Sequence, residues 1–161
     1  GSGSSPYAES GGIVAFEAED YHDKLVGATD DWTVESDQTG YTGTGFVHAG
    51  PDDGTLYGTS PGYLSGSPRL DYQVDFAAAG TYYVWVRGMK ADGSSDSVHV
   101  GLDGQANTTA DRIQVLGTGF NWNQGRVGGG IATLVVPSAG VHTVNIWMRE
   151  DGVRIDKLVV T

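Results

Sequence analysis

The stretch PRLDYQVDFAAAGTYYVWVRGM, residues 68–89, decides the fold class. Its first half alternates apolar and polar side chains, with the apolar set being Leu70, Tyr72, Val74 and Phe76. This period of two predicts a β-strand with one buried face. After the turn AAAG, a second strand of the same kind places Tyr82, Val84 and Val86 on one face and Tyr83, Trp85 and Arg87 on the other.

Similar strand patterns recur on both sides of this pair. They are SVHVGLDG (97–104), IATLVVP (131–137), GVHTVNIWM (140–148) and VRIDKLVV (153–160). No segment has the pattern of an amphipathic helix of ordinary length, and glycine-rich turns separate the strands. We therefore predict an all-β, antiparallel β-sandwich of jelly-roll type with about nine to ten strands. Long irregular loops are expected around 40–67 and 104–130.

Composition limits the class of protein further. The chain has 161 residues, 26 glycines, no cysteine and a net charge of −11. Residues 1–12 have the composition of a linker or expression scar, so the single domain is expected at 13–161. The charge argues against nucleic-acid and anionic-membrane partners. A secreted, monomeric domain is expected. The acids occur as doublets (Asp30–Asp31, Asp52–Asp53, Glu150–Asp151), which fits either solvation or cation binding.

The first strand contains the acidic stretch FEAED, residues 16–20. Strand alternation puts Glu17 and Glu19 on one face, with Cα atoms roughly 7 Å apart. Calcium takes six to eight oxygen ligands, so two such glutamates can supply part of its shell. Two solvated glutamates on a strand edge would give the same pattern.

Four stretches carry a resemblance to a known family: FEAEDY (16–21), LDYQVDFAAAGTYYVWVR (70–87), SSDSVHVGLDG (94–104) and RIDKLVV (154–160). In content and order they resemble the β-sandwich carbohydrate-binding modules of families 6 and 35, over most of residues 13–161. In that family a structural calcium is held by the first-strand glutamates and a last-strand aspartate. The resemblance therefore implies Ca²⁺ ligands at Glu17, Glu19 and Asp156.

The resemblance also implies a sugar site in the loops at one end of the sandwich. The candidate platform is Trp122 between Asn121 and Asn123, because sugars need an apolar surface flanked by fixed polar groups. Side chains expected to converge on it are Lys90, Asp96, Arg149 and Asp151. Trp122 as a core plug is the alternative. The family often has an asparagine just before the last strand, where this chain has EDGVRID, so a charged contact is expected instead.

A second candidate site is the sheet face that carries Tyr83, Trp85 and Arg87, joined by Trp147 from another strand. The alternative is that residues 40–67 bury this face. Trp32 is expected in the core, and His99 and His142 are expected to face solvent.

No motif for a nucleophile elbow, a zinc protease or a phosphate loop is present, so a non-enzymatic domain is expected. The predicted function is a carbohydrate-binding module, stabilised by calcium, that targets a covalently linked polysaccharide-degrading enzyme to its polymer. The net charge favours a neutral polymer, whereas the charged loop residues lean slightly to an acidic one. The rival hypothesis is an extracellular adhesion or assembly domain that binds protein.

Overall fold

A computed structural model describes residues 4–161. Within this range it contains thirteen strands and one 3-10 turn, Gly62–Leu64. The strands are β1 (Tyr7–Ala8), β2 (Val14–Glu17), β3 (Asp23–Leu25), β4 (Asp31–Glu35), β5 (Phe46–Gly50), β6 (Arg69–Phe76), β7 (Gly80–Met89), β8 (Ser97–Leu102), β9 (Ile113–Gln114), β10 (Asn121–Asn123), β11 (Thr133–Val136), β12 (Gly140–Met148) and β13 (Arg154–Val160). Four of them have only two or three residues, so the expected nine to ten correspond to the nine longer strands.

The strands form two sheets, which confirms the predicted all-β sandwich. The first sheet has the order β1-β6-β12-β8-β9, with β3 also paired to β6. The second has the order β10-β7-β13-β5-β4, with β11 paired to β7 and β2 to β13. Apart from the short parallel pair β1–β6, the ladders are antiparallel.

The core lies between the sheets and follows the predicted alternation. From β6 it receives Leu70, Tyr72, Val74 and Phe76, all at most 1% exposed. The apolar faces of β7 and β12 join the same cluster, as does Trp32, whose indole N–H donates to Pro68 O at 3.1 Å. Burying one such side chain contributes roughly 1.5–3 kcal/mol.

The packed domain begins earlier than the predicted boundary at residue 13. Tyr7 lies in β1 and stacks on Phe16, with ring centroids 5.1 Å apart. Its hydroxyl donates to Asp20 O at 2.5 Å. The proposed linker therefore contributes a strand from residue 7 onward, and residues 1–3 lie outside the described residues.

The outer face of the first sheet is covered around Trp147 and His99. Trp147 is 1% exposed and lies under Tyr63, which belongs to the long loop. His99 is buried too, stacked on Tyr63 with ring centroids 3.9 Å apart. The expectation that His99 faces solvent was therefore wrong, because the loop supplies a lid that strand alternation does not show. His142 is partly buried, and its Nδ1 donates a hydrogen bond to Asp103 Oδ2 at 2.7 Å.

Among residues 4–161 no helix is long and apolar enough to cross a membrane.

Candidate functional site

An open apolar groove lies on the outer face of the second sheet. Its volume is about 360 Å³, and it is lined by Ile13, Trp85, Trp122, Val159 and Thr161. Val159 in β13 lies directly opposite Trp85 in β7, so one cross-strand pair forms the floor. Trp122 stands on the neighbouring strand β10, opposite Arg87.

The groove joins residues from the two predicted sites. Trp85 came from the sheet-face candidate and Trp122 from the loop candidate, whereas Trp147 is on the opposite sheet and buried. Trp122 is not a loop residue, because Asn121–Asn123 pairs with the edge of β7. The side chain of Trp122 is 39% exposed, so it forms part of the groove wall and does not belong to the core.

The two asparagines beside Trp122 hold their own loop in place. The Asn121 side-chain amide donates to Leu116 O and, at 2.7 Å, to Gly119 O. The Asn123 amide donates to Gln114 O at 2.9 Å. Because these N–H donors are already engaged, the prediction that the two amides contact a sugar loses support. In the structure the two side chains hold β10 in place.

Other exposed apolar side chains lie on strands of the second sheet or next to them. Tyr83 is 47% exposed, Ile131 48% and Val135 62%, and Ile13 in the groove wall is 52% exposed. Tyr83 pairs with Thr161 through two backbone hydrogen bonds, which brings the end of β13 to the groove. The surface is thus apolar over more than the groove itself.

The basic side chains next to the groove are paired within the protein. Arg87 forms an ion pair with the fully buried Asp156 and donates to Gly40 O at 2.9 Å. Lys157 forms an ion pair with Glu17 at 2.9 Å. Both cations are therefore already paired, and neither is available to an anionic ligand.

The three predicted calcium ligands converge on one loop, residues 42–45. Thr42 donates its hydroxyl to Glu17 Oε2 at 2.7 Å and its backbone N–H to Asp156 Oδ1 at 2.8 Å. Glu19 Oε1 accepts the backbone N–H of Thr44 at 2.8 Å and of Gly45 at 3.2 Å.

Gly43 makes this convergence possible. Its φ is +68°, and a Cβ on it would overlap Glu19 Oε1, so a side chain there would displace the glutamates.

Whether this cluster suits calcium depends on its unused oxygens. Glu19 Oε2 is buried without a hydrogen-bond partner, as a metal ligand would be. Burial, followed by smaller effects that include the charge of Glu17, raises the pKa of Glu19. The other two acids are already neutralised by Lys157 and Arg87. The protein therefore supplies cations where the family resemblance places Ca²⁺.

The remaining predicted ligand residues lie at the loop end of the sandwich. Arg149 donates to Ser97 Oγ at 2.8 Å and pairs with Glu150 at 3.0 Å. Burial raises the pKa of Glu150, whose other oxygen accepts the Asp96 N–H at 2.8 Å. Lys90 begins the loop that leads to Asp96, and its backbone N–H donates to Gly117 O at 3.0 Å. These bonds tie loops to one another, and none of them involves Trp122.

Asp151 belongs to a cluster that sequence reasoning missed. Oxygens of Asp30, Asp53 and Asp151 all lie within 4.8 Å of one another. Each comes from one of the acidic doublets, which were the available signal. The sequence could not show that these three doublets meet, because their loops are far apart along the chain.

Comparison with known proteins identifies the family. The sequence model for the glycosyl hydrolase family 115 C-terminal domain matches residues 6–161. The chain belongs to this family. An uncharacterized protein of Formosa agariphila is 32% identical to this C-terminal domain over 117 residues, which are 67% of the chain and 28% of that protein. The domain thus spans less than a third of that relative.

Two solved structures share the fold of this family 115 C-terminal domain. A family 35 carbohydrate-binding module from Paenibacillus barcinonensis matches with a TM-score of 0.61 and 21% identity, over 91% of this chain and 97% of that module. The C-terminal family 6 module of a laminarinase from Zobellia galactanivorans matches with a TM-score of 0.54 and 15% identity, over 92% and 98%. The predicted resemblance to families 6 and 35 is therefore confirmed as a likeness of fold.

Proposed function

We propose that this domain binds carbohydrate, with the groove between Trp85 and Trp122 as its platform. The observation that carries the proposal is that two tryptophans line one open, apolar groove on a rigid sheet. The C–H face of a pyranose stacks on such side chains, while polar groups at the edge fix its hydroxyls. The fold shared with two carbohydrate-binding modules and the family membership support the same function.

The ligand is a neutral polysaccharide. The cations beside the groove, Arg87 and Lys157, are paired with Asp156 and Glu17. Arg149, expected to contact an acidic sugar, is engaged with Ser97 and Glu150. A chain with a net charge of −11 repels polyanions at long range, and nothing in the groove compensates for that.

The domain acts by avidity and performs no chemistry itself. Bound to its polymer, it keeps a covalently linked polysaccharide-degrading enzyme close to the substrate, so that the second encounter is intramolecular. This role places the protein outside the cell, where polysaccharides are. The affinity of one site is modest, because many sugar hydroxyls must be desolvated.

The test is affinity electrophoresis in native gels that contain neutral or acidic polysaccharides. Wild type should be retarded by a neutral polymer. Trp122→Ala should lose at least about tenfold in affinity, which corresponds to about 1.4 kcal/mol. Trp122→Phe should keep part of the retardation, since a smaller aromatic face remains. Because Trp122 is only 39% exposed, Trp122→Ala should also lower the free energy of unfolding by about 1–3 kcal/mol, whereas Trp122→Phe should lower it by about 1 kcal/mol or less.

Val141→Ala is the matched control, because Val141 is 54% exposed but lies on β12 in the other sheet. Its retardation should equal that of wild type. A Trp122→Ala variant that binds normally would remove the groove from the proposal. Retardation only by acidic polymers would overturn the choice of a neutral ligand.

A second function, protein binding, is favoured by the width of the apolar surface. Exposed side chains such as Tyr83, Ile131 and Val135 extend beyond the groove. Extended apolar surfaces on monomeric proteins often mark protein contacts. If no polysaccharide retards the wild type, this assembly function becomes the preferred one.

A further inference from the structure

We infer that Asp30, Asp53 and Asp151 bind one calcium ion at the loop end of the sandwich. Their carboxylate oxygens lie within 4.8 Å of one another. Two calcium ligands on opposite sides of the ion, each at about 2.4 Å, would be about 4.8 Å apart. Oxygens within this limit of one another are close enough to share one ion. The site is separate from the groove and does not depend on carbohydrate binding.

Asp30 contributes a buried carboxylate oxygen to the cluster that no group of the described residues bonds. The residue is 2% exposed, and its Oδ1 atom is buried without a hydrogen-bond partner. Its other oxygen accepts the Thr29 hydroxyl at 2.6 Å. A buried carboxylate oxygen with no partner is unfavourable because its hydration is lost, and a cation would remove that cost.

The cluster has no protein cation of its own. Among the ion pairs of residues 4–161, none includes Asp30, Asp53 or Asp151. The first-strand acids differ on this point, because Lys157 and Arg87 neutralise two of them. Three converging carboxylates need an external positive charge, and a divalent ion provides it.

The loops hold the cluster in place before any ion arrives. Asp151 is 1% exposed, and its Oδ2 accepts the backbone N–H groups of Asp53, Gly54 and Thr55 at 2.6, 2.8 and 3.0 Å. A Cβ on Gly152 would lie 2.7 Å from both Asp52 Oδ2 and Ser95 Oγ, so the neighbouring loops pack closely. Asp53 is exposed, which leaves an entry path for the ion.

The donor set selects calcium. The three side chains offer only oxygen, which hard cations prefer, and no histidine or cysteine is in the cluster. Magnesium demands a strict octahedron and retains its waters, whereas calcium accepts irregular cages of carboxylates, carbonyls and water.

Isothermal titration of the chelator-treated domain with CaCl₂ alone tests the inference. Wild type should bind one ion and gain thermal stability with calcium. Asp30→Asn and Asp53→Asn should each weaken binding by at least about tenfold, since even outer partners of a metal ligand are worth 10–100-fold. Asp30→Asn keeps the shape of the side chain and removes a buried charge, so it should fold, and Asp53 is exposed.

Glu17→Gln is the control, because it alters the first-strand acids without touching the loop end. It should bind one calcium as wild type does. Two results would overturn the inference: no calcium binding by wild type at millimolar concentration, or binding that survives Asp30→Asn and is lost in Glu17→Gln.

Discussion

Replacing Asp156 with alanine is expected to lower the free energy of unfolding by about 3–5 kcal/mol. Asp156 is fully buried and forms an ion pair with Arg87, which is itself only 19% exposed. Its other oxygen accepts the Thr42 N–H at 2.8 Å. Alanine would leave the guanidinium and this N–H without partners, and an uncompensated buried charge costs far more than the pair contributes.

Urea denaturation of wild type, Asp156→Ala and Lys157→Gln measures this effect. Lys157→Gln breaks the neighbouring ion pair between Lys157 and Glu17. Because these two side chains are 28% and 20% exposed, the free energy of unfolding should fall by about 1 kcal/mol or less. The series is run with calcium and with chelator. An equal loss for Asp156→Ala in both conditions identifies Arg87 as the partner of Asp156. A loss seen only with calcium would contradict the ion-pair account and place the metal at Glu17, Glu19 and Asp156.

The strands of the core could be predicted because their pattern is local. The alternation in 68–76 and 81–89 depends only on which side chains face the interior, and the apolar side chains of both strands are buried as predicted, although Asp71 on the polar side of β6 is buried as well. The bounds of β12, Gly140–Met148, agree with the predicted segment 140–148 for the same reason.

The cover over the outer faces of the two sheets could not be predicted, because it depends on loops whose sequences show no regular alternation. Trp85 and Trp147 both point away from the core, and their sequence surroundings are alike. Tyr63, from an irregular loop, covers Trp147, while β10 leaves Trp85 beside a groove. The pairing of Asn121–Asn123 with β7 is equally invisible, since three residues between glycines give no strand pattern.

The acids illustrate the same limit in electrostatic terms. The convergence of Glu17, Glu19 and Asp156 follows from the resemblance to a family. The partners that neutralise two of them, Lys157 and Arg87, depend on cross-strand register. Register also explains why Arg87 is unavailable to a ligand, although it shares a face with Trp85.

Acid should destabilise the domain through His99. Burial, as the largest cause, lowers the pKa of His99 from 6.5 to about 4. Its Nε2 lies 2.7 Å from Tyr57 O, and its Nδ1 lies 3.1 Å from the backbone N of Arg112, so the neutral ring donates to the first and accepts from the second. Protonation would set the Nδ1 proton against the Arg112 N–H.

The direction of this pH dependence follows from the pKa values of His99 in the unfolded and folded chains. The unfolded chain binds the proton near pH 6.5 and the folded chain only near pH 4, so stability falls as pH falls through this window. The total loss is about 3 kcal/mol, at 1.36 kcal/mol for each pH unit. His142 acts in the opposite direction: its hydrogen bond to Asp103 raises its pKa, so its contribution is present at low pH and is lost as pH rises.

Urea denaturation between pH 7.5 and 4, for wild type and His99→Gln, isolates the effect. Glutamine can donate to Tyr57 O and accept from Arg112 N without titrating, so its curve should be flatter by most of this 3 kcal/mol. Direct NMR titration of the His99 ring in the native protein is the second measurement, and it does not need the variant to fold. A ring that titrates near 6.5 would show that the lid formed by Tyr63 opens to water, because a buried ring stacked at 3.9 Å cannot be protonated so readily.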